Sequence, residues 1–174
     1  MKQAGCDKVG FGIESGNDKI LKIIKKGITT EQSRQAVKLA KRSGLTVETF
    51  FILGHPYETK ETANDTIRLA KELDPDTAEF AIMTPLPGTQ IASMAERGEG
   101  GLKLISKDYA NYSLQLSNSM ELEGLPIDEL KRLQLKAYWT FWVRPSKFFT
   151  FFKLINVRKL PRIMAHYLRR AIFG

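Results

Sequence analysis

Three short blocks rich in glycine, proline and polar residues recur along the chain, and each directly follows an apolar, strand-like run. They span residues 10–16, 51–59 and 83–89. The first two blocks are each followed by an amphipathic helical pattern, and the strands begin about 30–40 residues apart, the length of a βαβ unit. This repetition predicts a parallel sheet covered by helices, with functional groups at the carboxyl ends of the strands.

Local signals place the elements along the chain. Thr29 with Gln32 three residues later is typical of a capping box, and Gly44 is a natural helix stop. Three βα steps are too few to close a barrel, so one sheet edge is expected to remain uncovered. We therefore predict an α/β fold, namely a partial (half) βα barrel of three parallel strands followed by a helical C-terminal tail. The strands are expected over residues 9–13, 46–53 and 77–83.

Charge is distributed unevenly along the chain. The net charge is +8, but residues 131–174 carry 11 Lys and Arg and no acidic residue, together with ten of the 17 aromatic residues. A near-neutral globular part is therefore expected to precede a basic, aromatic tail. We predict three regions: a half barrel over residues 1–97, an irregular connector over 98–125, and a basic aromatic helical tail over 126–174.

Composition narrows the classes of protein further. With 43% apolar residues the chain can build a core. No apolar run approaches the roughly 20 residues that span a membrane, and the N-terminus does not resemble a signal peptide. A single cysteine excludes a disulfide framework within the chain, which is typical of a reducing compartment. We therefore expect a cytoplasmic protein.

The three blocks, taken together, resemble a known family. Gly-Phe-Gly-Ile-Glu-Ser-Gly at 10–16, with Lys-Gly-Ile-Thr at 26–29, is similar to the fourth strand and helix of radical S-adenosylmethionine enzymes. Gly-x-Pro-x-Glu-Thr at 54–59 is similar to the turn after their fifth strand, and residues 84–89 to the segment after their sixth. The resemblance covers about residues 4–95. It points to the cobalamin-binding-domain subgroup, which includes anaerobic tetrapyrrole cyclases, and next to the methylthiotransferases.

The resemblance implies roles for seven residues. Glu14 would bind the ribose of S-adenosylmethionine, because a carboxylate accepts from both hydroxyls of a diol; otherwise it is a solvated acid at a strand end. Ser15 would contact the same ligand or cap the following helix. Lys26 would pair with the methionine carboxylate or be a solvated cation at a helix end. The remaining residues would shape the adenine side (Gly54, Pro56) and either the substrate wall or a rigid connector (Met83, Thr84).

The segment that defines this family is absent from the chain. The family binds a 4Fe-4S cluster through a loop of three cysteines, whereas this chain has only Cys6. We therefore predict the C-terminal portion of such an enzyme, inactive alone, whose partner is the missing N-terminal half or a subunit that carries the cluster. In the family, an electron from the cluster cleaves S-adenosylmethionine, and the resulting radical abstracts hydrogen from a small-molecule substrate. Cobalamin in the full-length parent is implied by subgroup likeness alone.

The tail supports a competing interpretation. Basic amphipathic helices with aromatic faces lie on anionic membranes. The chain would then be a non-catalytic binding module at the inner membrane surface, contacting it through residues 131–174 and retaining the partial barrel as a scaffold. Packing against the barrel accounts equally well for the aromatic residues of the tail. Nucleic acid is disfavoured as a partner, because the aromatic residues form helix faces and not spaced stacking platforms.

Overall fold

The computed structural model describes residues 1–108, 110, 112 and 119–147. The chain divides into two compact units, residues 1–141 and 142–174, and the second is described only over 142–147. The elements, in chain order, are β1 Lys8–Glu14, α1 Asp18–Ile23, α2 Thr30–Arg42, β2 Thr46–Leu53, α3 Lys60–Leu73, β3 Thr77–Ile82, α4 Gln90–Arg97, β4 Leu102–Leu104, β5 Met120–Leu122 and α5 Ile127–Trp142.

The first three strands form one parallel sheet in the order β1–β2–β3. Helices α2 and α3 cover one face of it, against which Val47, Phe51 and Leu53 of β2 are buried. The rings of Phe51 and Phe80 stack with their centroids 5.3 Å apart, and this contact joins β2 to β3 within the core. The predicted α/β half barrel is therefore confirmed.

The helices begin where the sequence signals predict. The Thr29 side chain accepts from the Gln32 backbone N–H, and the Gln32 side chain accepts from the Thr29 N–H, which completes the predicted capping box of α2. Thr59 and Thr62 form the equivalent pair at the start of α3. Such caps stabilise a helix by about 1 kcal/mol each, because they satisfy backbone donors that the helix leaves free.

Gly16 allows the end of β1 to approach α3 closely. A Cβ atom at this position would lie 2.5 Å from both the Asp65 carbonyl oxygen and the Thr66 Cα. The Gly16 N–H instead donates to the Thr66 hydroxyl at 2.9 Å. The third glycine of the first block therefore sets how tightly strand and helix pack.

Helix α5 covers the outer edge of β3. The Gln134 side chain donates to the Phe80 carbonyl oxygen at 2.6 Å, and the Phe80 N–H donates to the Tyr138 hydroxyl at 3.2 Å. The rings of Tyr138 and Phe141 pack edge-on against Phe80. These contacts satisfy backbone groups that an edge strand would otherwise expose. Helix α5, the first element of the predicted helical tail, therefore closes one side of the sheet.

Within the described residues, the opposite edge of the sheet is unpaired and its second face is partly exposed. No described strand pairs with the outer edge of β1. Beside that edge lies an apolar groove of about 680 Å³, whose lining includes Val9, Phe11 and Leu39; the Leu39 side chain is 61% exposed. On the second face Phe50 remains 39% exposed. Parallel sheets are usually covered on both faces. The exposed second face is therefore what a half barrel of three strands is expected to show.

The connector contains structure that the sequence pattern did not indicate. Strands β4 and β5 pair antiparallel, with Leu102 opposite Leu122 and Leu104 opposite Met120. The two strands are only three residues long and lie far apart in the sequence. Neither an alternating pattern nor a hairpin turn therefore indicated them. The predicted tail beyond residue 147 lies outside the described residues. Within the portion that is described, no helix has the length and apolar character needed to cross a membrane.

Candidate functional site

The three predicted blocks meet at the carboxyl ends of the three strands, and we call this end of the sheet the rim. It consists of Glu14 at the end of β1, the turn at residues 54–58 after β2, and Met83–Thr84 after β3. The Met83 N–H donates to the Leu53 carbonyl at 2.8 Å, and a Cβ at Gly54 would lie 3.5 Å from the Met83 Cβ. Parallel pairing therefore brings together segments that are separated by about 30–40 residues.

Glu14 stands on an irregular backbone. The register between β1 and β2 shifts between Gly12, which pairs with Phe50, and Glu14, which pairs with Phe51. Glu14 itself has φ of 68°, in the left-handed region that non-glycine residues rarely adopt. Bulges of this kind re-aim side chains near functional sites, and such backbone strain of about 1–3 kcal/mol persists where the surrounding structure enforces it.

An ion pair joins Glu14 to Lys26. The Lys26 Nζ donates to the Glu14 Oε1 at 2.9 Å, and the Glu14 and Lys26 side chains are 21% and 31% exposed, respectively. Gly12 makes room for the pair, because a Cβ there would lie 2.6 Å from that Oε1 and 3.2 Å from the Lys26 Nζ. Lys25, which precedes the cation, also has a left-handed backbone with φ of 54°. Two of the predicted site residues are thus in direct contact.

Ser15 occupies a different place. Its side chain is fully buried, and its hydroxyl lies 3.3 Å from the Thr66 hydroxyl of α3 and accepts the Asn17 N–H at 3.2 Å. The residue that caps α1 is Asn17, whose side chain accepts from the Lys19 N–H. The structure therefore uses Ser15 to tie the end of β1 to α3, behind the rim.

The turn after β2 is held by a carboxylate. Glu58, buried just before α3, accepts the backbone N–H groups of Gly54 and His55 through the same Oε2. Gly54 has φ of 92°, and the buried Pro56 packs against Gly100, where a Cβ would lie 2.8 Å from the proline Cβ. The sequence pattern did not indicate Glu58 as the anchor of this turn. The available signal was a carboxylate four residues after a glycine that ends a strand.

His55 and Glu58 are both buried with unsatisfied polar atoms. Within the described residues, the two ring nitrogens of His55 and the Oε1 atom of Glu58 have no hydrogen-bond partner. Burial lowers the pKa of His55 to about 4, although the nearby Glu14 carbonyl and charge oppose the shift. Burial raises the pKa of Glu58 to about 7, opposed by its two backbone N–H donors. Both side chains are therefore driven toward their neutral forms.

Met83 and Thr84 form the far side of the rim. Both are half-buried, and the Thr84 hydroxyl donates to the Ile82 carbonyl at 3.2 Å. The Leu86 N–H then donates to the Thr84 carbonyl at 3.0 Å, which starts the turn of the proline-containing block. Because prolines at 85 and 87 prevent a helix from starting, residues 86–89 run exposed until α4 begins.

The polar side chains at the rim suit an organic ligand better than a metal ion. Among residues 1–108, 110, 112 and 119–147, no group of three His, Cys, Asp or Glu side chains is arranged to hold a metal ion. Cys6 lies before the amino end of β1, opposite the rim, where its Sγ contacts the Lys8 carbonyl at 3.3 Å. A thiolate-bound cluster therefore does not fit this chain. A carboxylate beside an ammonium can instead bind vicinal hydroxyls and a second carboxylate.

Comparison with known proteins places these features in a family. The family model of the radical SAM superfamily matches residues 1–70. An uncharacterized methyltransferase of Pyrococcus horikoshii is 41% identical over 84% of this chain and 31% of its own length. An anaerobic magnesium-protoporphyrin IX monomethyl ester cyclase of Rubrivivax gelatinosus is 36% identical over 84% of this chain and 25% of its own length.

Two further matches bear on the resemblance. A tRNA-2-methylthio-N(6)-dimethylallyladenosine synthase of Nitrosomonas europaea is 27% identical over 74% of this chain and 29% of its own length. The solved structure of the archaeal Methanocaldococcus infernus Elp3 with an N-terminal deletion superposes with a TM-score of 0.50 and 28% identity, covering 56% of this chain and 24% of that one. The chain thus spans about a quarter to a third of the curated relatives described here, and the resemblance drawn from the three blocks is confirmed.

The buried Glu58 predicts a pH dependence of stability. Its folded pKa is raised, so its contribution to stability is present below pH 4.5 and is lost as the pH rises toward 7. Glu58→Gln removes this loss. The free energy of unfolding of the variant, relative to wild type, should therefore rise between about pH 4.5 and 7 by about 3 kcal/mol, as measured by urea unfolding.

His55→Leu is the matched variant and should do the opposite. The folded pKa of His55 is lowered, so in wild type it costs stability below pH 6.5, where the unfolded chain takes up a proton. Relative to wild type, the free energy of unfolding of His55→Leu should therefore fall as the pH rises from about 4 to 6.5. Identical pH profiles for the two variants would contradict the burial-driven shifts.

Proposed function

The chain belongs to the radical SAM superfamily, and we propose that it supplies the ribose and adenine side of an S-adenosylmethionine site, with a portion of the substrate wall, to a larger iron–sulfur enzyme. The observation that supports this most is the position of Glu14. Its carboxylate stands at the carboxyl end of β1, on a left-handed backbone, beside the turn that follows β2. That is where a βα barrel places its ligand groups.

The proposed contacts follow from the chemistry of the rim. The two oxygens of Glu14 accept from both ribose hydroxyls, and Lys26 is within reach of the methionine carboxylate because it already contacts Glu14. The turn at Gly54 and Pro56, fixed by Glu58, borders the adenine. Met83 and Thr84 border the substrate, with Ser15 holding β1 against α3 from behind. When bound, the cluster of the family supplies the electron for cleavage, while these residues bind and orient the nucleoside.

The cluster would come from a complementary polypeptide that carries the cysteine loop, either an N-terminal half or a partner subunit. The open edge of β1 is the place for its nearest strand, and the groove beside it suits apolar side chains of that strand and its helix. The two sides of the sheet differ in this respect, because side chains of α5 already satisfy the N–H and the carbonyl of Phe80 in β3. We propose that the chain alone is inactive, and that cobalamin use and the identity of the small-molecule substrate are decided outside the described residues.

An exposed stripe on α5 favours the membrane-surface alternative as a second candidate. Leu135 and Trp139, one turn apart, are 54% and 68% exposed. They precede the basic, aromatic residues 148–174, which lie outside the described region of the chain. A tryptophan-bearing apolar face with cationic neighbours is typical of helices that lie at a membrane interface.

Replacing Glu14 with Gln tests the nucleoside site. The substitution keeps the side-chain size but removes the charge-assisted hydrogen bonds to the ribose, so the affinity for S-adenosylmethionine should fall about 10- to 100-fold. NMR titration of the ¹⁵N-labelled chain with the ligand up to millimolar concentrations measures this. Glu61→Gln, an exposed acid in the first turn of α3, is the control and should bind as wild type does. Equal affinities for Glu14→Gln and wild type would refute the ribose contact.

Replacing Leu39 with Asp tests the complementary polypeptide. The part of the Pyrococcus horikoshii relative that lies outside its matched segment is tagged and co-expressed with this chain. Wild type should co-purify with it, and Leu39→Asp should not, because association would bury an unpaired carboxylate in the groove. Leu39 is exposed, so the variant should keep the circular dichroism of the folded chain. Leu135→Asp is the control with a similarly exposed leucine, and loss of association in both variants would contradict the assignment of the groove.

Vesicle co-sedimentation of the full chain tests the membrane alternative. Binding to phosphatidylglycerol vesicles at low salt should weaken as ionic strength rises and should decrease several-fold in Trp139→Ser. Leu86→Ser, at an exposed leucine after β3, should leave binding unchanged. A wild-type chain that stays in the supernatant at low salt removes this candidate.

A further inference from the structure

The cation and the anion of the candidate site form an ion pair and neutralise each other. The Lys26 Nζ lies 2.9 Å from the Glu14 Oε1, and within the described residues neither group takes part in another ion pair. Both side chains are about three-quarters shielded from solvent. The Glu14 Oε1 and the Lys26 Nζ, which the proposed ligand would contact, are therefore already engaged with each other.

The backbone around the pair indicates that the contact is built into the fold. Glu14 and Lys25 both adopt left-handed conformations, which cost a non-glycine residue free energy. Gly12 leaves out the one Cβ atom that would overlap the pair. An incidental surface ion pair needs none of these three features, because flexible side chains find each other without backbone help.

We propose that Lys26 is a specificity-determining latch: it holds the Glu14 carboxylate until a carboxylate of the ligand takes its ammonium group. The site then selects nucleosides that carry a carboxylate over nucleosides that lack one. This inference rests on the proposed function, because it takes Glu14 as the group that binds the ribose.

The selection follows from which contacts are exchanged. A nucleoside without a carboxylate must displace Lys26 from the Glu14 Oε1 to contact both carboxylate oxygens fully, and it leaves the Lys26 ammonium without an anionic partner. A ligand with both a diol and a carboxylate replaces one charged partner of Lys26 by another, so each group in the site keeps a partner. The two subsites are thereby coupled through a single side chain, and such coupling is reciprocal.

Coupling of this kind can be measured with two separate probes, adenosine and methionine. In the wild-type chain, saturating methionine should raise the affinity for adenosine about two- to fivefold. Methionine then holds the Lys26 ammonium, so adenosine no longer has to displace it from Glu14, and an ion pair of this exposure contributes free energy of that size. In Lys26→Met, adenosine should bind about two- to fivefold more tightly than to wild type without methionine, and added methionine should have no further effect. NMR titrations of the ¹⁵N-labelled chain give these affinities.

Lys22→Met is the matched control. Lys22 is an exposed lysine of α1 in the same segment, so its loss changes the net charge equally without touching the ion pair. It should show wild-type affinities and wild-type coupling.

The outcomes separate the latch from the function on which it rests. If Lys26→Met leaves adenosine affinity unchanged or weaker, and methionine still enhances binding, the latch is overturned. If Glu14→Gln does not weaken adenosine binding, the proposed ribose contact fails and the latch fails with it. Weaker adenosine binding in Glu14→Gln, together with stronger binding and lost coupling in Lys26→Met, supports both.

Discussion

Parallel pairing of three strands is the constraint from which the other features of this protein derive. With β1, β2 and β3 aligned in the same direction, their carboxyl ends share one rim. The register is fixed because every second residue of β2 is buried against the helices, and a one-residue slip would turn that apolar set outward. Glu14 and the turns after β2 and β3 are thus neighbours as a consequence of core packing and not of their own interactions.

Most of the left-handed non-glycine residues in the described part of the chain lie in the rim or in the segment that carries Lys26. Among the described residues, the non-glycine positions with positive φ are Glu14, Lys25, Tyr57 and Asp74. Asp74 ends α3, as left-handed residues commonly do. The other three lie in the segments that carry Glu14, Lys26 and the turn after β2. Strain enforced by a well-packed sheet positions side chains before a ligand arrives, which is the physical basis for proposing a site here.

The two edges of the sheet differ in how their backbone groups are satisfied, and the proposed partner of the half barrel follows from this difference. At β3 the backbone of Phe80 is satisfied by side chains of α5, so no further strand is needed there. At β1 the outer edge has no described strand beside it, and the adjoining groove is apolar. Because of this asymmetry, a complementary polypeptide would join at the edge of β1, next to Glu14. Association and nucleoside binding are therefore expected to depend on the same element.

The sequence by itself determined the strands and helices of the half barrel and the family. Capping threonines at 29 and 59, helix-stopping glycine at 44 and apolar strands act over a few residues, so their effects are readable without a structure. Only the tertiary structure decided that Ser15 faces Thr66, that Glu58 anchors the turn after β2, and that Lys26 pairs with Glu14 across Gly12. These contacts depend on a strand bulge, left-handed residues and the close approach of segments up to about 50 residues apart, and no local pattern encodes such geometry.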